Sequence, residues 1–162
     1  MGTIFFVENK ITGVNEYYQL IAEVVARAKS GDKIYIELAH YVAQGLDALK
    51  DINIPVNQSN YEYTWHTTDM WDASRPLSFT IVKQMASYST VYEFRINWSE
   101  RYFRTFFFIH NDGGEQYKIF VRAMIKEERN PPEVQQAIAE TALHAIDFYK
   151  NPAKNLRKLL ET

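Results

Sequence analysis

The sequence predicts an α+β fold: an N-terminal strand, a helical hairpin, a three-stranded antiparallel meander that completes a small twisted sheet, and a C-terminal helix. Apolar residues recur at helical spacing between residues 12 and 49 and at strand spacing between 91 and 126. A proline-led helical pattern follows over 130–149. With 162 residues, of which 46% are hydrophobic, the chain can form one domain with a packed core.

The first half of the chain supplies the strand and the helical hairpin. Residues 3–7 form a short apolar run, and the helical pattern over 12–29 begins with a threonine suited to cap it. Asp32 is placed to cap a second helix over 33–49, in which Gly45 marks a point where the helix could end early. The short turn between the two helices predicts that they pack against each other.

Residues 51–78 have no sustained period and carry four acidic residues against one arginine, which indicates an insertion. A structureless segment of this length is usually functional or packed upon itself. With Trp65 and Trp71, it could lie across the sheet as a lid. Basic residues gather instead in 79–129, which holds eight Lys or Arg against six Asp or Glu.

Three arginines on successive strand segments fall side by side when hairpin residues are counted. A loop over 98–101 sets Arg95 opposite Arg104, and a three-residue loop over 112–114 sets Arg104 opposite Arg122. Like charges directly opposite one another destabilise a sheet, so the row indicates a binding surface for phosphate. A slip of one residue in the pairing would remove the row.

Composition excludes several classes of protein. The chain has no cysteine, so disulfide frameworks, cysteine-based zinc sites and thiol nucleophiles are excluded. No His, Asp or Glu spacing carries a metal signature, and we expect no metal or other cofactor. No apolar stretch approaches the roughly 18 residues of a membrane span, and the N-terminus lacks the pattern of a secretion signal. We expect a cytoplasmic protein with no membrane partner.

Five short motifs occur in a fixed order along the chain: Thr12-Gly-Val-Asn-Glu-Tyr17, Ile81-Val-Lys-Gln-Met85, Tyr92-Glu-Phe-Arg-Ile96, Phe103-Arg-Thr-Phe-Phe107 and Phe120-Val-Arg-Ala-Met-Ile-Lys126. In this order they resemble motifs of the RelE/HigB superfamily of toxins, especially its phage-derived HigB-like branch. The likeness covers residues 3–50 loosely and 79–149 better. The chain departs from the family pattern where Arg122 replaces a histidine and where Glu127 and Glu128 follow Lys126.

The resemblance implies a RelE/ParE-like domain over residues 1–150, with an insertion at about 51–78 and a short tail over 151–162. It also implies a prophage-type toxin of a toxin–antitoxin pair, an endoribonuclease that hydrolyses messenger RNA, commonly on the ribosome. Its expected partner is a cognate helix-turn-helix antitoxin. The alternatives are a noncatalytic module that keeps the fold to bind protein, or a small-molecule pocket beneath the insertion. The oligomeric state stays open.

Metal-independent RNA cleavage needs a base for the 2′-OH, cations for the charged phosphorane and an acid for the leaving 5′ oxygen. Arg95 and Arg104 suit the cationic role, Lys126 the role of cation or acid, and Glu93 that of base. The arginines could also form a solvated face, and Glu93 could merely orient Arg95. The predicted RNA-binding residues are Arg101, Lys118, Arg122 and Arg129, together with the aromatic residues Phe106 and Phe120.

Overall fold

The chain folds around one mixed sheet, seen in a computed structural model that describes residues 2–128 and 131–161. Within these residues there are six strands and four helices. The strands are β1 (Gly2–Phe6), β2 (Glu62–Thr68), β3 (Pro76–Gln84), β4 (Tyr92–Trp98), β5 (Arg101–Asp112) and β6 (Glu115–Lys126). The helices are α1 (Glu16–Lys29), α2 (Lys33–Lys50), α3 (Pro132–Tyr149) and α4 (Pro152–Leu160).

The strands follow the order β1-β6-β5-β4-β3-β2 across the sheet. The last five strands of the chain form an antiparallel meander, and β1 joins it by pairing in parallel with β6. Helices α1 and α2 cover one face, while α3 packs on the other face over β5 and β6. This arrangement leaves the β2–β4 part of the second face uncovered.

The largest hydrophobic core lies between the sheet and the hairpin of α1 and α2. The side chains of Tyr41, Phe94, Phe103 and Phe107 are fully buried there. Gly45 lies within α2 and does not end the helix. A Cβ atom at this position would lie 3.1 Å from the Phe94 ring, so the glycine permits close contact between helix and sheet.

The predicted architecture, a small sheet completed by a three-stranded meander and followed by one C-terminal helix, is wrong. Residues 62–68 and 76–84 form two further strands that lengthen the meander, so ten residues of the predicted insertion, 62–68 and 76–78, belong to the sheet. The predicted tail contains α4, whose Leu156 packs against the side chains of α3. The sequence did not indicate strand β2, because five of its seven residues are exposed and the apolar alternation of a half-buried strand is missing.

The helix caps were predicted in part. Asp32 caps α2 by accepting a hydrogen bond from the Tyr35 backbone N–H, as predicted. Helix α1 begins later than expected, because Asn15 rather than Thr12 accepts from the N–H of Tyr18. Asn130, where the predicted C-terminal helical pattern begins, lies outside the described residues. None of the described helices has the length and apolar character needed to cross a membrane.

The pairing of the strands agrees with the prediction on one side of β5 only. Arg95 lies opposite Arg104, as predicted. The β5–β6 turn contains two residues, Gly113 and Gly114, both with positive φ, instead of three. A bulge between Phe106 and Phe107 adds a second shift, because Phe106 pairs with residue 122 and Phe107 with residue 120. The residue of β6 that lies opposite Arg104 is therefore Met124.

Candidate functional site on the open face of the sheet

The uncovered part of the sheet carries a row of alternating charge across three strands. Lys83 on β3 lies opposite Glu62 on β2 and opposite Glu93 on β4. Arg95 lies two residues beyond Glu93 on the same face of β4, because side chains alternate along a strand. Opposite charges directly across a sheet stabilise the pairing, so this row also fixes how the three strands align.

Glu93 is shared between two arginines. Its Oε1 lies 3.4 Å from Arg95 Nη1, and its Oε2 lies 3.6 Å from Arg104 Nε. Glu93 is 5% exposed and Arg104 only 3%, so the carboxylate and the second guanidinium lie at the floor of the site. Burial raises the pKa of Glu93 above its ordinary value, although the positive charges of Arg104, Arg95 and Lys83 oppose that shift.

Two adjacent grooves open above this cluster. The larger, of about 640 Å³, is lined by Glu93 and Arg95 and bounded by Val134 and Gln135 at the start of α3. The second, of about 400 Å³, extends over β3 and β4. Glu62, Lys83 and Arg95 line both grooves, and the second adds the polar groups of Ser78, Thr80 and Asn97.

The site offers cationic groups that could contact an anion. Three cations, Lys83, Arg95 and Arg104, face two carboxylates, Glu62 and Glu93, on this part of the sheet. Arg95 and Lys83 line the grooves, whereas Arg104 is buried behind Glu93. A ligand with a phosphate group would therefore meet one guanidinium and one ammonium group beside a carboxylate, and guanidinium groups match phosphate oxygens in bidentate geometry.

Arg122, the third arginine of the predicted row, does not belong to the site. Its Nε donates to Glu16 Oε1 at 2.7 Å, and its Nη1 donates to Glu140. Glu16 Oε1 also accepts from the backbone N–H of Ala123, at a point on β6 beyond the last residue paired with β1. Arg122 therefore joins α1, β6 and α3, and the prediction that it lies opposite Arg104 is wrong.

Two other predicted cations lie apart from the grooves. Lys126 pairs with Glu133 at 3.5 Å and is separated from β4 by the whole of β5. Arg101 lies among residues of α1 and α2, near Arg27 and Tyr35. Arg129 lies outside the described residues. The structure therefore brings together Glu93, Arg95 and Arg104 from the predicted set and leaves Lys126 and Arg101 elsewhere.

Lys118, Phe106 and Phe120 are buried, which corrects their predicted role in binding RNA. The bulge reverses the predicted facing of the first part of β6, so Phe120 lies in the core beneath α1 and α2. Phe106 lies beneath α3. Lys118 donates from Nζ to the Ile52 carbonyl at 2.7 Å, and burial lowers its pKa to about 8. None of the three offers a surface to a nucleotide.

The predicted lid is also absent from this face. Trp65 packs into the core on the side of α1 and α2. Trp71 lies on the same side, where its Nε1 donates to Glu37 Oε2 at 2.7 Å, and Trp98 Nε1 donates to the other oxygen at 3.3 Å. The aromatic part of 51–78 therefore braces α2 and leaves the grooves open.

Sequence reasoning missed two groove residues. Lys83 lies within the Ile81–Met85 motif, and pairing that segment with the next strand would have placed it opposite Glu93. Glu62 had no comparable signal, because β2 was not recognised as a strand. Among residues 2–128 and 131–161, no three His, Asp or Glu side chains are grouped as ligands for a metal ion.

The fold and site define an α+β protein with two open grooves in which the cations Lys83 and Arg95 lie beside the carboxylates of Glu62 and Glu93. No protein-family model, curated protein or solved structure matches the chain. The functional argument therefore starts from the groove itself.

Proposed function

We propose that this protein is the toxin of a toxin–antitoxin pair, binding single-stranded RNA in the open grooves and cleaving it without a metal ion. The observation that carries the proposal is Glu93, held between Arg95 and Arg104 and opposite Lys83, at the floor of a groove that α3 leaves open. The motif resemblance to RelE/HigB toxins, which includes Arg95 and Arg104, supports the same activity. The cleaved RNA is messenger RNA, on or off the ribosome.

The reaction divides among three groove residues. Glu93 takes the proton of a 2′-OH, and the 2′ oxygen forms a bond to the adjacent phosphorus. Arg95 stabilises the added negative charge on the phosphorane oxygens. The bond from phosphorus to the 5′ oxygen then breaks, and Lys83 supplies the proton that this oxygen takes up. The products are a 2′,3′-cyclic phosphate and a 5′-hydroxyl. Arg104 holds Glu93 in place from beneath.

The buried position of Glu93 suits the role of base. Burial raises its pKa, and a general base works best when its pKa approaches the working pH. Cleavage is therefore expected to fall as the pH drops through a value above that of an ordinary glutamate. A pH–rate profile of the purified protein measures this value directly.

The activity test uses purified protein with messenger RNA, alone and with translating ribosomes. We expect cleavage that Glu93→Gln and Arg95→Met each reduce by about 100-fold or more, by analogy with the loss of a group that stabilises a transition state. Arg75→Met is the matched control, since Arg75 is an exposed arginine near a carboxylate, 3.9 Å from Asp69, outside the grooves. No cleavage in either setting, or equal losses in all three variants, overturns the proposal.

The proposed toxin has a cognate antitoxin as its partner. Expression of the protein alone is expected to arrest growth, and co-expression of a helix-turn-helix protein from a neighbouring reading frame is expected to restore it. Arrest that persists in the Glu93→Gln variant would show that toxicity does not come from the grooves.

A noncatalytic protein-binding module is the second candidate, favoured by an apolar pocket away from the grooves. The pocket, of about 160 Å³, lies between residues 9–11 and α3. Ile11 and Leu143 line it and are 76% and 65% exposed. If RNA stays intact with the wild-type protein while Leu143→Asp prevents binding of the neighbouring-frame protein, this second function replaces the first.

A further inference from the structure

Strand β2 is an open edge of the sheet. It pairs with β3 on one side, and five of its seven residues are exposed. Proteins usually protect an edge with lysine, proline, a bulge or a very short strand. β1, at the opposite edge, has only five residues. β2 is longer and contains neither lysine nor proline, so it presents backbone groups for pairing.

The edge of β2 is also regular. Tyr63 pairs with Val82 and Thr64 with Thr80, so the extra residue of the irregularity, Ile81, belongs to β3. The neighbour of β2 absorbs the distortion, and residues 62–66 keep an uninterrupted alternation of side chains. A second strand can therefore pair along β2 without a break in its hydrogen bonds.

The residues of β2 complement a second copy of themselves. In an antiparallel arrangement with Thr64 opposite Thr64, Glu62 lies opposite His66, and Tyr63 lies opposite Trp65. Each of these pairings occurs twice about the two-fold axis. A carboxylate opposite an imidazole and an aromatic ring opposite another are both favourable cross-strand pairs. Moving the axis to Trp65 would set Glu62 opposite Thr68 and Tyr63 opposite Thr67. That register would lose both favourable cross-strand pairs.

We propose that two copies of this chain associate through antiparallel pairing of their β2 strands, centred on Thr64, so that one sheet continues through both. The charges of the edge favour this occupant, because Glu62 is its only carboxylate and meets a histidine rather than another acid. The interface is isologous, because a two-fold axis brings the same surface of both copies together.

The dimer would extend the site. Glu62 lines both grooves, and pairing places the partner's His66 directly opposite it on the same face. The two copies would then present their grooves side by side on a continuous surface, suited to a polymer longer than one groove. The association itself does not depend on the ligand being RNA, so dimerisation and cleavage can fail separately.

Cysteine scanning tests the pairing, because the chain contains no cysteine of its own. Residues directly opposite in antiparallel strands have Cβ atoms roughly 4.5–5.5 Å apart, which is close to disulfide geometry. Thr64→Cys is therefore expected to give a covalent dimer on mild oxidation. Glu62→Cys is the matched control, since its two copies would lie about 13 Å apart along the strands.

Light scattering of the wild-type protein is expected to give twice the mass of one chain. His66→Glu opposes two pairs of like charges and is expected to weaken association about tenfold or more. The double variant Glu62→His with His66→Glu reverses both pairs and is expected to restore the dimer. Thr68→Glu, which adds the same charge outside the paired segment, is expected to leave it intact.

A monomeric wild-type protein would overturn the proposal. So would disulfide formation at position 62 equal to that at 64, because it would indicate random collision or another register. Circular dichroism of each variant confirms that the chain is folded, and failure of the reversed pair to restore a dimer lost in a folded His66→Glu variant would count against the proposed pairing.

Discussion

The clusters around Arg122 and Glu93 use the same kinds of residue in opposite proportions. Arg122 is bound by two carboxylates, Glu16 and Glu140, from two helices. Glu93 is one carboxylate between two arginines, Arg95 and Arg104. The first cluster has one arginine and two carboxylates, so its net charge is negative. The second has two arginines and one carboxylate, so its net charge is positive, and it lies beside an open groove.

The difference shows what decides whether an arginine on this sheet stabilises the fold or remains accessible to a ligand. Near β6, helices α1 and α3 approach from both sides and each supplies a glutamate, so Arg122 is neutralised and holds the elements together. Over β4, within the part of the chain that the structure describes, no helix supplies a further carboxylate, and Arg95 faces a groove. An arginine with two carboxylates from neighbouring elements therefore forms a structural ion-pair cluster. An arginine with fewer carboxylates can contribute to a binding site.

The largest expected effect is on the Arg122 cluster. Arg122→Met leaves Glu16 and Glu140 without their cation at a largely buried position, and we expect a loss of about 3 kcal/mol in the free energy of unfolding. Urea denaturation measures it. Arg75→Met, which removes an exposed arginine 3.9 Å from Asp69, is expected to cost about 0–1 kcal/mol. Equal losses in the two variants would remove the structural role given to Arg122.

Lys118 extends the comparison to a buried cation that a carbonyl oxygen binds. Burial lowers its pKa to about 8 in the folded protein, although Glu115 and Asp51 act to raise it. Between this value and the unfolded value of roughly 10.4, the unfolded chain holds more protons, so the contribution of Lys118 to stability rises with pH. Unfolding free energies measured across that range should rise more steeply in the wild-type protein than in Lys118→Met.

The smallest expected effect on stability is at Glu93. Its raised pKa means that the folded protein disfavours the charged carboxylate, which offsets part of the cost of removing a partner of Arg104, so replacement by the neutral Gln is expected to lower the unfolding free energy by less than Arg122→Met does. Thermal denaturation checks this value beside the activity assay. A loss of unfolding free energy as large as that of Arg122→Met would indicate that Glu93 stabilises the fold and does not act as a base.

The same residue also predicts a pH dependence of stability. A raised folded pKa means that the contribution of Glu93 to stability falls as the pH rises from its ordinary value through the raised one. The Glu93→Gln variant should lack this component. Denaturation curves at several pH values in the mildly acidic range compare the two proteins.

Much of the fold followed from local sequence signals. The helical periods located α1, α2 and α3, and the alternation of apolar residues located β4, β5 and β6. Arg95 opposite Arg104 followed from the short loop between their strands. Strand β2 did not follow from such signals, because it is mostly exposed and polar. The role of Lys83 was missed because it depends on how β3 aligns with β2 and β4.

By itself, the sequence determined the hairpin of α1 and α2, the β4–β5 pairing, and the placement of Glu93, Arg95 and Arg104 on one face. These depend on periods, caps and turns that act over a few residues. Only the tertiary structure decided which arginines remained available. The bulge between Phe106 and Phe107 turned Lys118 and Phe120 into the core, and Arg122 met Glu16, 106 positions earlier in the chain. Such partners are set by packing between distant elements, which no local pattern encodes.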